Sequence, residues 1–333
     1  MSLGEMQKSD VAMSPANAEK RARTQEPNGA WKQLSKKHSL GQNFLSQETL
    51  LRQLLEWSRL SPGDRVFEVG AGAGALTEQM IEAGAVVFSA EIDERLFEPL
   101  ASRFKSACER EQLAFYFADA LTLDWSGVKA RLDRLKASES QASARGAQKG
   151  ESYRMIANLP YYLTRELIQK AYAMLWSFDS FSWMLQREAA DRLLAPEPGE
   201  TGYKAKLYGP LSVMTHAYAA SFSRHKVPRH AFSPQPRVDS DFVCIFAAKD
   251  RFSPEIAASF LDFVLLCFAQ RRKTLQSQFK KYANGNKNLE AKLAAGLASL
   301  HLPSHVRAEE LTFQQFYALY QILEMEGQGW SLI

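Results

Sequence analysis

The run Met155-Ile156-Ala157-Asn158-Leu159-Pro160-Tyr161-Tyr162 ends a short apolar segment with an amide, a proline and two aromatics. Leu159 precedes proline, which disfavours the helical region and pushes its backbone towards an extended form. The carbonyls near Asn158 and Leu159 then face outward instead of closing a helical turn. Beside them stand the side-chain acceptor of Asn158 and the flat face of Tyr161. Such a group can hold a planar amine by two hydrogen bonds and a stacking contact, and the exocyclic N6 of adenine is such an amine. The same residues also fit a plain strand-to-helix turn with two buried tyrosines, and the motif alone does not separate the two readings.

A second set of residues could hold a nucleoside. Phe67-Glu68-Val69-Gly70-Ala71-Gly72-Ala73-Gly74 reads as a strand running into a glycine turn that opens a helix. Glycines there let the backbone turn sharply and approach a ligand. Glu91 ends the next strand, at a distance that suits a carboxylate accepting from two ribose hydroxyls. The pattern also satisfies GxGxxA, so NAD competes at this point, as does a purely structural turn. Asp119 follows the third strand, where it could accept from an adenine amino group with Ile92 and Ala120 closing on the ring. Taken singly, Asp119 fits a helix cap equally well. Taken together, the glycine turn, Glu91, Asp119 and Asn158 stand in order at successive strand ends, where ligands of open α/β sheets bind. That order favours S-adenosylmethionine over a dinucleotide, because a dehydrogenase has no use for the Asn-Leu-Pro-Tyr turn.

The elements that must position these residues alternate. Helical spacing of Leu50, Leu51, Leu54, Leu55 and Trp57 predicts a helix over about 46–58 with Ser46 as N-cap. Strands are expected at 65–69, 86–90, 113–117, 153–157 and 181–185, with helices over 75–83, 94–108 and 164–175. A helical run at 207–218 and two late strands at 222–227 and 242–247 follow. This order implies a doubly wound, mostly parallel sheet of Rossmann-like architecture. After Ser253-Pro254 the pattern is helical, near 254–269, 271–281, 287–299 and 312–325. The expected organisation is a flexible tail at 1–35, a cofactor-binding domain at 36–250 with a polar insertion at about 137–152, and a small all-helical domain at 251–333.

Composition excludes several classes. The 333 residues are 46% hydrophobic and 23% charged, ordinary for a globular chain with room for two domains. No apolar run approaches the roughly 20 residues of a membrane span, and acids at Glu5, Asp10, Glu19 and Glu26 argue against a transit peptide. Cys108, Cys244 and Cys267 form no CxxC pair and the histidines no HxxxH or HExxH spacing. No metal site is expected, and a reducing, cytoplasmic setting is. Net charge is +4, but Lys204, Lys206, Arg224, Lys226, Arg229 and Arg237 fall in an acid-free window at 201–238. Arg271, Arg272, Lys273, Lys280, Lys281 and Lys287 fall in another at 263–289. The two windows read as a polyanion-facing side, or as solvated faces whose acids lie elsewhere.

Six blocks in order resemble the small-subunit ribosomal RNA adenine N6,N6-dimethyltransferases of the kasugamycin-resistance (KsgA) type. They are Leu40-Gly41-Gln42-Asn43-Phe44-Leu45, Glu68–Gly74, Glu91-Ile92-Asp93, Asp119-Ala120, Asn158–Tyr161 and Phe232–Ser240. A seventh, Gln270-Arg-Arg-Lys-Thr-Leu275, lies in the helical part, and the resemblance spans roughly 36–325. It implies that Gln42, Asn43 and Leu45 close over the methionine part of S-adenosylmethionine, and that Gly70 and Gly72 pass beneath it with Glu68 nearby. It further implies that Glu91 holds the ribose and Asp119 the cofactor adenine. Asn158 and Leu159 would grip the target N6, with Tyr161 and Phe232 stacking on either side of the base. The implied partner is small-subunit rRNA, the implied acceptor two neighbouring adenosines near its 3′ end, and the enzyme a monomer. A macrolide-resistance enzyme acting on large-subunit rRNA, a ribosome-assembly RNA-binding module and, remotely, a nicotinamide dehydrogenase are the competing readings. Gln276 and Gln278 stand where the family often has further Arg and Asn.

Overall fold

The computed structural model describes residues 44–45, 47–136, 152–174, 178–248 and 252–324. The tail expected at 1–35 and nearly all of the expected insertion lie outside them, as do Gln42, Asn43 and Ser46.

The chain begins with β1 (Phe44–Leu45), α1 (Glu48–Trp57), β2 (Arg65–Val69) and α2 (Ala75–Glu82). It continues through β3 (Val86–Glu91), a 3₁₀ turn at Glu94–Leu96, α3 (Phe97–Arg103), α4 (Lys105–Glu109) and β4 (Leu113–Phe117). Next are α5 (Val128–Arg134), β5 (Tyr153–Asn158), a 3₁₀ turn at Tyr161–Leu163, α6 (Thr164–Ala173) and β6 (Ser180–Gln186). Then α7 (Arg187–Leu193), α8 (Pro210–Tyr218), β7 (Ala219–Val227), β8 (Phe232–Ser233) and β9 (Ser240–Ala247) follow. The last elements are helices: α9 (Pro254–Phe268), α10 (Leu275–Ala283), α11 (Lys287–Ser299) and α12 (Phe313–Glu324).

Seven strands form one sheet in the order β4-β3-β2-β5-β6-β9-β7. The pairings β4 with β3, β3 with β2, β2 with β5 and β5 with β6 are parallel. The chain winds outward from β2 to β4 on one side and from β5 to β6 on the other. The doubly wound, mostly parallel sheet is therefore present, with its switch point between β2 and β5. Every residue of β2 and β3 is buried, as expected for central parallel strands covered on both faces. Arg154, at the start of β5, donates to Asp64 at 2.6 Å, to the Ser58 carbonyl at 3.1 Å and to Ser180 Oγ at 3.0 Å. This buried ion pair ties the start of β5 to the turn before β2, at the end of the strands away from the cleft.

The described chain divides into two compact units that do not follow a single cut in the sequence. One comprises the described residues up to Leu167, with those of Ser177–Leu185 and Ser223–Cys244; the other comprises the described residues of Ile168–Trp176, of Gln186–Phe222 and from Ile245 onward. The second unit is packed around aromatic rings. Phe260 lies 5.4–6.1 Å from Phe252, Phe313, Tyr317 and Tyr320.

Several local expectations change. The N-cap of α1 is Gln47 with no side-chain cap, so the capping role expected of Ser46 has no counterpart among the described residues. The helix expected over 94–108 is broken at Phe104, whose φ of −105° and ψ of 16° leave the helical region. Its buried ring packs 5.8 Å from Phe115 and fills the space beside Gly74. Helices α5 and α7 were not expected, because their polar sequences carry little apolar period.

Candidate active site

The glycine turn is built by positive backbone angles. Gly70, Gly72 and Gly74 have φ of 82°, 55° and 82°, a region that side chains rarely tolerate. Gly70 N–H donates to the Ala90 carbonyl at 2.8 Å and Gly74 N–H to the Ala71 carbonyl at 2.9 Å. A side chain at Gly74 would meet the Phe104 ring at 2.6 Å. From outside, Arg103 donates to the Ala73 carbonyl and pairs with Glu78, both at 2.6 Å.

Two carboxylates stand under this turn with different roles. Glu91, at the end of β3, accepts from Gly72 N–H at 2.8 Å and Asp93 N–H at 2.9 Å. Burial raises its pKa, and those backbone donors oppose the rise. Glu91 reaches the cleft; Glu68 does not. Glu68 is fully buried beneath the turn, where Thr77 Oγ1 and Ser89 Oγ each donate to its Oε2 at 2.7 Å while Oε1 has no partner. Burial pushes its pKa up to about 7, against the two hydroxyl donors and with the help of nearby Glu91.

Asn158 ends β5 and, through Leu159-Pro160, leads into the 3₁₀ turn. The Pro160 carbonyl accepts from Leu163 N–H at 3.0 Å and Thr164 Oγ1 at 3.2 Å, which fixes the turn. Tyr161 shares a 2.7 Å hydrogen bond with Ser240 Oγ, and burial raises its pKa, so the phenol stays neutral. Asp119 Oδ1 accepts from Leu121 N–H at 2.8 Å, while the Trp125 indole holds the Ala120 carbonyl at 2.9 Å.

All of these ends open onto one cleft of about 1030 Å³ that includes open solvent. Among its lining residues are Leu45, Gly70, Gly72, Glu91, Ile92, Asp119, Ala120, Asn158, Leu159 and Tyr161. A Cβ added at Gly70 would project to 4.0 Å from the Asn158 carbonyl, so the glycine turn and the amide turn face each other across the same space. The turn leaves room a side chain would fill, a carboxylate waits at the β3 end and another follows β4. These carboxylate acceptors and spaces fit a nucleoside cofactor. Phe232 is not in the cleft wall: it is buried in β8, its backbone paired antiparallel with Leu45. Sequence reasoning gave no role to Ser240, Thr77 and Ser89, which are partners of site residues, nor to Tyr162 of the opening motif, which lines the cleft.

The basic windows are partly neutralised. Arg224 pairs with Asp241, and Arg229 with Asp239 at 2.5 Å, acids lying just past the end of the first window. Arg271 pairs with Glu309 at 3.4 Å and donates to the carbonyls of Ala205, Lys206 and Tyr208. Lys204, Lys206, Arg272 and Lys273 remain exposed. Among the described residues no helix is long and apolar enough to cross a membrane, and no cluster of metal-ligating side chains occurs.

The profile of the ribosomal RNA adenine dimethylase family matches residues 33–324. The chain is 34% identical over 288 residues to the ribosomal RNA small subunit methyltransferase A of Lactobacillus johnsonii, covering 86% of this chain and 90% of that one. With the protein of that name from Leuconostoc citreum it shares 31% over 295 residues, covering 88% and 92%. Among solved structures, a dimethyladenosine transferase from Plasmodium falciparum superposes with a TM-score of 0.63 at 22% identity, over 86% of this chain and all of that one. The 23S rRNA methyltransferase ErmE superposes with a TM-score of 0.53 at 20% identity, over 85% and 100%. With the cleft and its ordered strand ends in place, the chain belongs to the ribosomal RNA adenine dimethylase family.

Proposed function

We propose that this enzyme dimethylates N6 of two adjacent adenosines in a loop near the 3′ end of small-subunit rRNA, using S-adenosylmethionine. The observation that carries the reading is the single cleft shared by the glycine turn, Glu91, Asp119 and the Asn158-Leu159-Pro160-Tyr161 turn. The relatives at 31–34% identity are small-subunit enzymes by name, whereas the likeness to ErmE is one of fold.

When bound, S-adenosylmethionine supplies a methyl group already made electrophilic by its sulfonium. Gly70 and Gly72 would lie beneath it, with Leu45, Gln42 and Asn43 closing above, Glu91 at the ribose, and Asp119 with Ile92 and Ala120 at the adenine. The Asn158 side chain and the Leu159 carbonyl accept the N6 hydrogens of the target and turn its lone pair, otherwise delocalised into the ring, towards the donor. Such alignment of two reactants can be worth about 7–11 kcal/mol. No strong base is needed, because a methylated ammonium loses its proton readily. Tyr161 offers its face to the extruded base, which offsets part of the cost of leaving the stack. Phe232, buried in β8 with its backbone paired to Leu45, stands outside the cleft wall, so the stacking on the far side of the base has no support from its position.

The helices from Pro254 onward, with exposed Arg272 and Lys273, hold the RNA. Cys108, Cys244 and Cys267 are free thiols. The test is labelled transfer to undermethylated small and large subunits in parallel. Label confined to small-subunit adenosines is expected; label on the large subunit, or on neither, refutes the reading.

A further inference from the structure

Four large apolar side chains are exposed among the described residues, and two of them, Ile92 and Tyr162, border the cleft. Ile92 follows Glu91 on the cofactor side. Tyr162 stands on the other side, directly after the amide turn, with 52% of its surface exposed. Its neighbour Tyr161 is held by Ser240. Both residues belong to the 3₁₀ turn Tyr161–Leu163, in which successive side chains point about 120° apart. The two rings therefore cannot lie on the same base. The turn that carries Tyr162 is closed by hydrogen bonds from Leu163 N–H and Thr164 Oγ1 to the Pro160 carbonyl. An exposed aromatic on a hydrogen-bonded turn at the edge of the cleft is what single-stranded RNA uses as a stacking platform.

We propose that Tyr162 stacks on the nucleobase adjacent to the adenosine being methylated. The proposal rests on the reading that the substrate is a pair of neighbouring adenosines. While one member of the pair enters the cleft, the other has lost a stacking partner, and the Tyr162 ring replaces it. When the second adenosine enters, its modified neighbour takes the place on Tyr162, so the residue sets how readily the enzyme completes the pair.

The experiment compares wild type with Tyr162→Ala and Tyr162→Trp on undermethylated small subunits, with mapping of each modified adenosine and titration of S-adenosylmethionine. Loss of one base–aromatic contact should raise KM for the particle by roughly 5- to 150-fold. With Tyr162→Ala, kcat changes little, cofactor affinity is unchanged and particles modified at one adenosine accumulate. Tyr162→Trp restores wild-type KM and completion of the pair. An unchanged particle KM in Tyr162→Ala overturns the proposal, as does a parallel loss of cofactor affinity, which would put the ring in the cofactor's site. If wild type itself places no methyl groups on small-subunit adenosines, the failure lies with the substrate reading.

Discussion

Replacing Glu68 by Gln should make the stability of this chain less sensitive to pH, and the size of the effect follows from its surroundings. The carboxyl is sealed under the glycine turn, with Oε2 taking both hydroxyl donors and Oε1 taking none. Its pKa rises from an ordinary 4.5 to about 7. Below the ordinary value the group is protonated in folded and unfolded chains alike, and its contribution to stability is fully present. As pH rises towards 7 the unfolded chain ionises while the folded one holds its proton, so stability falls and is lost by the time pH passes the folded value. The full difference is about 3 kcal/mol. Gln keeps the shape and one acceptor for Thr77 and Ser89 but cannot titrate; its amide adds a constant offset. Urea unfolding of both proteins from about pH 4 to about pH 8 should therefore show the Gln variant gaining on wild type by about 3 kcal/mol as pH rises. Groups remote from Glu68 behave alike in both proteins and cancel in the comparison. Two stability curves that stay parallel across this range would show that Glu68 does not carry a raised pKa, and that the burial argument is wrong.

Other perturbations separate structural from binding roles. Arg154→Ala strands the buried Asp64 carboxylate and should cost about 3–5 kcal/mol in urea unfolding. Lys273→Ala removes one exposed cation and should lower the log–log salt slope of RNA binding by slightly less than 1, with stability unchanged. Arg271→Ala should instead lower the urea midpoint as well, because its guanidinium serves the carbonyls of Ala205, Lys206 and Tyr208 and the Glu309 carboxylate.

What could be read from the sequence follows from the range of the forces involved. β2 and β4 run over 65–69 and 113–117 as expected, because short apolar runs bounded by turn residues encode a buried strand locally. The ordered strand ends were equally legible, since the glycine turn, Glu91, Asp119 and Asn158 each sit at a fixed offset from a strand. Contacts between distant residues were not. The break at Phe104 depends on a ring that fits beside Gly74, thirty residues earlier. The pairing of Leu45 with Phe232 joins two-residue strands with no periodic signal. Helix α7 is polar and is supported by the Glu188–Arg192 pair at i and i+4 instead of an apolar stripe. The basic window at 201–238 had its acids at Asp239 and Asp241, one and three positions beyond its edge, where only the fold brings them back.

The most direct test of the account is single-turnover methyl transfer by Asn158→Ala at saturating cofactor and saturating undermethylated small subunits. The folded variant should transfer at least about 100-fold more slowly than wild type, the loss expected when one preorganised hydrogen-bonding group is removed from a reacting centre. Transfer at the wild-type rate would contradict the claim that this amide and the adjoining Leu159 carbonyl hold the adenine amino group.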